Sequence, residues 1–157
     1  MKFNNLNIRF IDSINFTLVP LVKFPSTFNL IGSKGYFPYL FNTKKNENYI
    51  GHYPRLKYYG YDSLPIESKD KLKEWYYSDE VMCKTFNMKE EMFHYCITDT
   101  ELLSRGCETF RKLYINLTGV NPFEYVTISA ACKTVYLTII PENTIGLFND
   151  RGNECYS

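Results

Sequence analysis

The sequence has almost no net charge and no long apolar run. Its 18 Lys and Arg residues nearly balance its 17 Asp and Glu residues, which leaves a formal net charge of +1. Contact with nucleic acid would therefore need a local basic patch or aromatic rings that stack on bases, because the chain as a whole has no strong positive potential. No stretch has the length and apolarity that a bilayer span needs, and Asn4, Asn5 and Arg9 interrupt any signal-peptide segment. We expect a soluble intracellular protein without membrane contact.

The sequence also lacks a recognisable metal-binding or disulfide pattern. Its five cysteines, at positions 83, 96, 107, 132 and 155, include no Cys-x-x-Cys pair. An odd number of cysteines disfavours a complete disulfide framework and favours a reducing compartment. Neither His52 nor His94 has a metal-binding partner at a useful spacing.

Aromatic residues are abundant, with 14 Tyr and 12 Phe in 157 residues. Many lie in residues 37–64, which are also rich in Lys, Asn, Gly and Pro and keep no helical or strand period. This composition predicts a long ordered loop region that its aromatic rings hold in place. Such a loop forms either a small aromatic core or a platform on which bases stack.

Periodicity and capping signals predict a mainly helical chain with a few short strands. Asn87 resembles an N-cap with Glu90 as the capping-box acid, so a long helix is expected to run to about Leu117, with Gly106 as a weak point and Gly119 as its stop. The other predicted elements are a strand at 8–11, a short helix at 20–28, an exposed loop at 31–36, a helix at 67–77, a helix from Asn121-Pro122 to about Leu137, and a strand at 144–148.

Tyr95 and Asp99 lie four residues apart on the long predicted helix, which puts a phenol and a carboxylate on one face. Such a pair suits the binding of a metal ion and a phosphate ester. The simpler alternative is an ordinary helix pair, with Tyr95 in the core and Asp99 in solvent.

Three separated segments together resemble one family. They are residues 10–30 with Asp12-Ser13, residues 34–42 (KGYFPYLFN), and residues 94–103 (HYCITDTELL). In order and spacing they resemble the later part of the 3′–5′ exonuclease domain of family B DNA polymerases of the protein-primed type. Residues 121–129 resemble the beginning of that family's polymerase portion. The resemblance divides the chain into residues 1–119, the exonuclease-like part, and residues 120–157, the start of the polymerase domain.

The resemblance assigns roles to six residues. The family's third exonuclease motif, Tyr-x-x-x-Asp, falls on Tyr95 and Asp99, with Asp99 as a metal ligand. Its Lys-x-x-hydrophobic motif falls on Lys34 to Phe37, where Lys34 would serve catalysis by contacting a phosphate. Its motif for single-stranded DNA falls on Ser13 to Phe16. Phe16 and Phe37 would stack on unpaired bases. The simpler alternatives are a solvated Lys34 and a turn or cap role for Ser13.

The resemblance implies a ribonuclease H-like exonuclease fold, α+β or α/β, here without its N-terminal strands. It also implies Mg²⁺ or Mn²⁺ in the intact site, single-stranded DNA or a primer terminus as a partner, and a terminal protein as a further partner of the intact polymerase. Of four family carboxylates only Asp99 is found, since only eleven residues precede Asp12 and they contain no Asp-x-Glu.

We therefore expect a fragment of a DNA-directed DNA polymerase that neither polymerises nor proofreads alone and does not bind the metal stably. Two alternatives stay open. One is a non-catalytic module, derived from such a polymerase, that binds single-stranded DNA or a protein. The other is a small α+β domain with a structural role.

Overall fold

The structure is a computed structural model that describes residues 10–141 and residue 144. The described chain is mainly helical. Its α-helices are α1 (Phe24–Phe28), α2 (Ile66–Tyr76), α3 (Asp79–Met82), α4 (Met88–Thr118) and α5 (Ile128–Ile139). Strands β1 (Ile50–Gly51) and β2 (Phe86–Asn87) pair antiparallel. Short 3₁₀ turns lie at residues 13–15, 21–23, 39–41, 44–46, 56–59, 61–63 and 122–124.

The chain divides into two compact units. One contains residues 20–106, and the other contains residues 1–19 together with residues 107–157. Helix α4 contributes its first part to the former unit and its last part to the latter. The predicted division at residue 119 concerns the family's functional domains and stays a prediction.

Aromatic packing holds the 37–64 region in the unit of residues 20–106. Phe41 is its centre, because its ring lies edge-on to Tyr49 and Tyr58 at 5.0 Å and contacts the buried Phe86 at 6.5 Å. Phe86 belongs to β2, which pairs with β1 inside this region. The prediction of an ordered, aromatic-pinned loop is confirmed, with β1 and several 3₁₀ turns as added detail.

Helix α4 confirms the predicted long helix and corrects the reading of Gly106. The Asn87 side chain accepts a hydrogen bond from the Lys89 amide at 3.2 Å at the start of the helix. Gly119, at φ +72°, follows its end, as predicted. Gly106 does not interrupt the helix. It is buried, and its missing side chain makes room for the ring of Phe24, which is 2% exposed.

The other unit has a small aromatic core. Phe16 lies at 5.0 Å from Phe123, edge-on, and at 6.5 Å from Phe110 on α4. The predicted helix from Asn121-Pro122 is wrong at its start. Asn121 caps only a short 3₁₀ turn, and the backbone of Tyr125 is extended. Thr127 then caps a separate helix, α5, by accepting a hydrogen bond from the Ala130 amide.

The terminal strand predictions have no support in the described residues. Phe10 and Ile11 have no regular structure, and Ile8 and Arg9 lie outside the described residues. The strand predicted at 144–148 also lies outside them, apart from Thr144. The helices predicted at 20–28 and 67–77 are confirmed, with small shifts of their ends.

The expectation of a mainly helical chain with few strands is confirmed at that level, and the ribonuclease H-like assignment stays a prediction. Across residues 10–141, none of the helices combines the length and the apolar character needed to span a bilayer.

Gly106→Ala tests the packing of α4. We expect the free energy of unfolding to fall by about 1–3 kcal/mol, because the new methyl group would overlap the Phe24 ring. This loss outweighs the ~1 kcal/mol that alanine gains over glycine in a helix interior. Urea denaturation measures the change. Gly35→Ala is the control, since a Cβ there meets no atom within 4 Å. A more stable Gly106→Ala protein would contradict the packing.

Candidate functional site

Helix α4 and the irregular segment of residues 32–38 bring together four of the six predicted site residues. Tyr95 and Asp99 lie on one face of α4. Lys34, from the irregular segment, places its Nζ 3.4 Å from Asp99 Oδ2 and 5.6 Å from the centre of the Tyr95 ring. Phe37 stacks on Tyr95, with ring centres 5.1 Å apart and an interplanar angle of 25°. The Lys-x-x-hydrophobic and Tyr-x-x-x-Asp segments therefore form one cluster.

The neighbouring side chains of this cluster stabilise the charged form of Lys34. Partial burial by itself would lower the pKa of Lys34, but hydrogen bonding to Tyr95 and the nearby Tyr95 and Asp99 side chains raise it above its ordinary value. The ammonium group is therefore charged throughout the neutral range. It neutralises the carboxylate of Asp99, whose side chain is only 21% exposed.

Asp99 keeps one oxygen without a partner. Its Oδ2 pairs with Lys34, while Oδ1 is buried and accepts no hydrogen bond among the described residues. A buried carboxylate oxygen without a donor is costly, because it has lost water and gained nothing in return. A cation or a hydrogen-bond donor would give this oxygen the partner that it lacks.

The described residues do not by themselves make a metal site. Two-metal hydrolysis needs several carboxylates around ions about 3.5–4 Å apart. Within the part of the chain that the structure describes, no three His, Cys, Asp or Glu side chains are grouped so that they could hold a metal ion. Asp99 alone does not fit Mg²⁺ or Mn²⁺, and its assignment as a ligand stays a prediction about a complete family site.

A cavity of about 190 Å³ lies beside Tyr95. Its walls include Tyr36, Tyr53, Trp75 and Glu91. Glu91 accepts a hydrogen bond from the Tyr53 hydroxyl at 3.2 Å and pairs with Lys84 at 3.0 Å.

Glu91 was not among the predicted site residues, although its position in the sequence carries a signal. Glu91, Tyr95 and Asp99 are spaced by four residues on one helix, and such spacing places three side chains along one face. Glu91 does not complete a metal site with Asp99. Eight residues of helix separate them by about 12 Å along the axis, too far for neighbouring ligands.

Ser13 and Phe16 belong to the other unit, where their described contacts are those of a local turn and of a small core. Ser13 begins a 3₁₀ turn that Asp12 caps by accepting a hydrogen bond from the Ile14 amide at 3.1 Å. Phe16 is 7% exposed and packs against Phe110 and Phe123. The stacking of Phe16 on bases stays a prediction, and it would require the ring to leave this core. Phe37 is half-buried and already stacked on Tyr95.

Comparison with known proteins identifies the family. The family of DNA polymerases of type B, organellar and viral, matches residues 1–151. Because this match covers nearly the whole chain, the chain belongs to that family. No solved structure matches the chain.

Several curated relatives carry the name "Probable DNA polymerase". One from Ascobolus immersus is 28% identical over an alignment of 151 residues, which covers 92% of this chain and 12% of the relative. One from Podospora anserina is 27% identical over 83% of this chain and 10% of its own length. One from Agaricus bitorquis is 31% identical over 79% of this chain and 15% of its own length. The chain thus spans only a small part of the relatives it matches.

Removing the Asp99 charge should change the titration of Lys34. In Asp99→Asn we expect the pKa of Lys34 to fall, because the carboxylate that raises it is gone. In the unaltered chain the pairing stabilises the fold at pH values below the ordinary lysine pKa of 10.5 and is lost as the pH rises through the raised value. NMR titration of the lysine side chains measures the pKa of Lys34 in the variant and in the unaltered chain.

Glu101→Gln is the matched control for this titration. It removes the same charge from α4, but Glu101 pairs with Arg105 at 3.9 Å on another face. The pKa of Lys34 should stay unchanged in this control. An equal pKa of Lys34 in Asp99→Asn and the unaltered chain would show that the two groups do not pair in solution.

Proposed function

We propose that this chain is the later part of the 3′–5′ exonuclease region of a type B DNA polymerase, followed by the beginning of its polymerase portion. The observation that carries the proposal is the contact between Lys34 and Asp99. These residues come from two motifs that are far apart in the sequence, and a chance helix pair would not require them to meet. The contact brings together a basic and an acidic group, both of which the binding and hydrolysis of a phosphodiester require.

Each residue of the cluster has a role in this proposal. Lys34 is a compact cation that pairs with a phosphate oxygen of the single strand when one displaces the Asp99 carboxylate. Asp99 supplies one of the carboxylates of the complete site. The Tyr95 hydroxyl orients the attacking water or the scissile phosphate. Phe37, stacked on Tyr95, holds that ring in position.

The proposal gives the isolated chain no catalytic activity. The complete family site takes Mg²⁺ or Mn²⁺, and the described residues offer one suitable carboxylate, so no hydrolytic step is assigned to this chain alone. DNA-directed DNA synthesis, proofreading, nucleotide binding and association with a terminal protein belong to the proposal for the whole polymerase.

A second candidate is a non-catalytic module that binds single-stranded DNA. One observation favours it specifically: the salt bridge with Lys34 already neutralises Asp99, whose side chain is mostly buried. A carboxylate in this state is less available to a metal ion, which a non-catalytic module does not require.

Purified chain should not trim labelled single-stranded DNA in the presence of Mg²⁺ or Mn²⁺, because one carboxylate cannot position two ions. Gel analysis of the labelled products measures this. Processive trimming from the 3′ end that disappears in Asp99→Ala would overturn the proposed inactivity of the isolated chain.

A chimaera tests the exonuclease assignment itself. Residues 1–151 would replace the matching segment of the Ascobolus immersus relative, which supplies the rest of a polymerase chain. We expect 3′ trimming by the chimaera to fall at least about 100-fold in Asp99→Ala, as expected for loss of a group acting in the transition state. Primer extension should persist.

Glu101→Ala is the control in the chimaera, since it removes a neighbouring carboxylate from another face of α4. It should leave trimming unchanged. Equal trimming by the Asp99→Ala and unaltered chimaeras would refute the exonuclease assignment. A chimaera that binds single strands through Lys34 but never trims them would favour the second candidate.

A further inference from the structure

A second, larger cavity lies in the aromatic loop, away from the motif residues. It measures about 390 Å³ and belongs entirely to residues 41–58. Its lining combines aromatic rings with basic side chains and includes no Asp or Glu. The lining residues are Phe41, Tyr49, His52, Tyr53, Pro54, Arg55, Lys57 and Tyr58.

The basic side chains of this cavity are not neutralised. Among the described residues, neither Arg55 nor Lys57 forms a salt bridge with a carboxylate. Lys57 instead places its Nζ 5.0 Å from the centre of the Tyr58 ring. An ammonium group over a ring stays available to an anion, because the ring carries no net charge to cancel it. The cavity therefore has a local positive potential in a chain that is nearly neutral overall.

The walls of the cavity are fixed before any ligand arrives. Phe41 holds Tyr49 and Tyr58 by edge-on contacts at 5.0 Å. The Tyr49 hydroxyl donates a hydrogen bond to the His52 carbonyl at 2.9 Å. The Asn46 side chain donates one to the Phe41 carbonyl, also at 2.9 Å. A pre-organised wall lowers the ordering cost of binding.

We propose that this cavity binds one nucleotide unit of single-stranded DNA. The aromatic lining suits the face of an unpaired base, and Arg55 with Lys57 suits the adjoining phosphate. Its volume lies in the range of small-molecule sites, about 300–1,000 Å³. The inference rests on the proposed function for its choice of DNA, and it adds a contact point outside the Lys34, Tyr95 and Asp99 cluster.

The smaller cavity beside Tyr95 is a poorer candidate for the same ligand. It measures about 190 Å³, and Glu80 and Glu91 are among its lining residues. Carboxylates repel a phosphate, and the space is smaller. The two cavities share Tyr53 in their linings, so they are neighbours, and only the larger one has no carboxylate in its lining.

Fluorescence anisotropy with a labelled oligo(dT) strand tests the inference on the full chain. In Arg55→Ala/Lys57→Ala we expect the Kd to rise on the order of tenfold at low salt, because two charge-assisted contacts are lost. The dependence of log K on log salt should become shallower by about 0.7, as the one adjoining phosphate is no longer neutralised. Tyr58→Leu should weaken binding about fivefold or more through lost stacking.

Charge-matched and fold controls accompany these variants. Lys23→Ala/Lys71→Ala removes two charges from the same unit, and neither residue lines the cavity. This control should bind within about twofold of the unaltered chain if non-specific charge is minor. Circular dichroism and thermal melting show whether each variant is folded, and Tyr58→Phe keeps the ring if Tyr58→Leu unfolds.

The outcomes separate this inference from the proposed function. Equal loss of binding in both double variants would refute a site at the cavity and indicate diffuse attraction. No binding of oligo(dT) by the unaltered chain would refute it outright, while the chimaera test of Asp99 would stand independently. Binding of free dTMP without binding of oligo(dT) would also overturn it, because the ligand would then be a free nucleotide.

Discussion

The uninterrupted backbone of α4 is the constraint on which the candidate site depends. Tyr95 and Asp99 share a face only while the helix keeps its turn, and that helix runs from Met88 to Thr118 through a glycine. Gly106 is tolerated because Phe24 fills the space that a side chain would occupy. The same contact anchors α1 to α4 and so steadies the segment that leads to Lys34. Helix α4 therefore both packs against the core and positions the site residues, which a site of fixed geometry requires.

Local signals in the sequence were sufficient for the two ends of α4 and for the acidic half of the cluster. Asn87 and Gly119 mark the ends of α4 through capping, which depends only on neighbouring residues. The four-residue spacing of Tyr95 and Asp99 follows from helix geometry. The approach of Lys34 could not be read in the same way, because it depends on how an irregular segment packs. The resemblance to a family assigned Lys34 a contact with a phosphate, while the residues alone were equally consistent with a solvated side chain.

The differences between prediction and structure also have physical causes. The burial of Phe16 against Phe110 and Phe123 could not be read from its short motif, because it depends on residues about a hundred positions later in the chain. Thr127 provides a second cap that divides the helix predicted from Pro122. Glu91 was not predicted because its partners, Lys84 and Tyr53, come from irregular segments outside α4. Apart from Phe10, Ile11 and Thr144, the predicted terminal strands lie outside the described residues.

The unpartnered Oδ1 of Asp99 has a consequence for how the fold responds to what surrounds it. Leaving a buried carboxylate oxygen without a donor costs on the order of 1–3 kcal/mol. Any group that satisfies this oxygen in the folded chain alone, whether a cation, a water or a neighbouring segment of a larger polymerase, shifts the unfolding equilibrium toward the native state. A rise in the melting temperature of the chain would then show that this oxygen has gained a partner, without any catalytic assay.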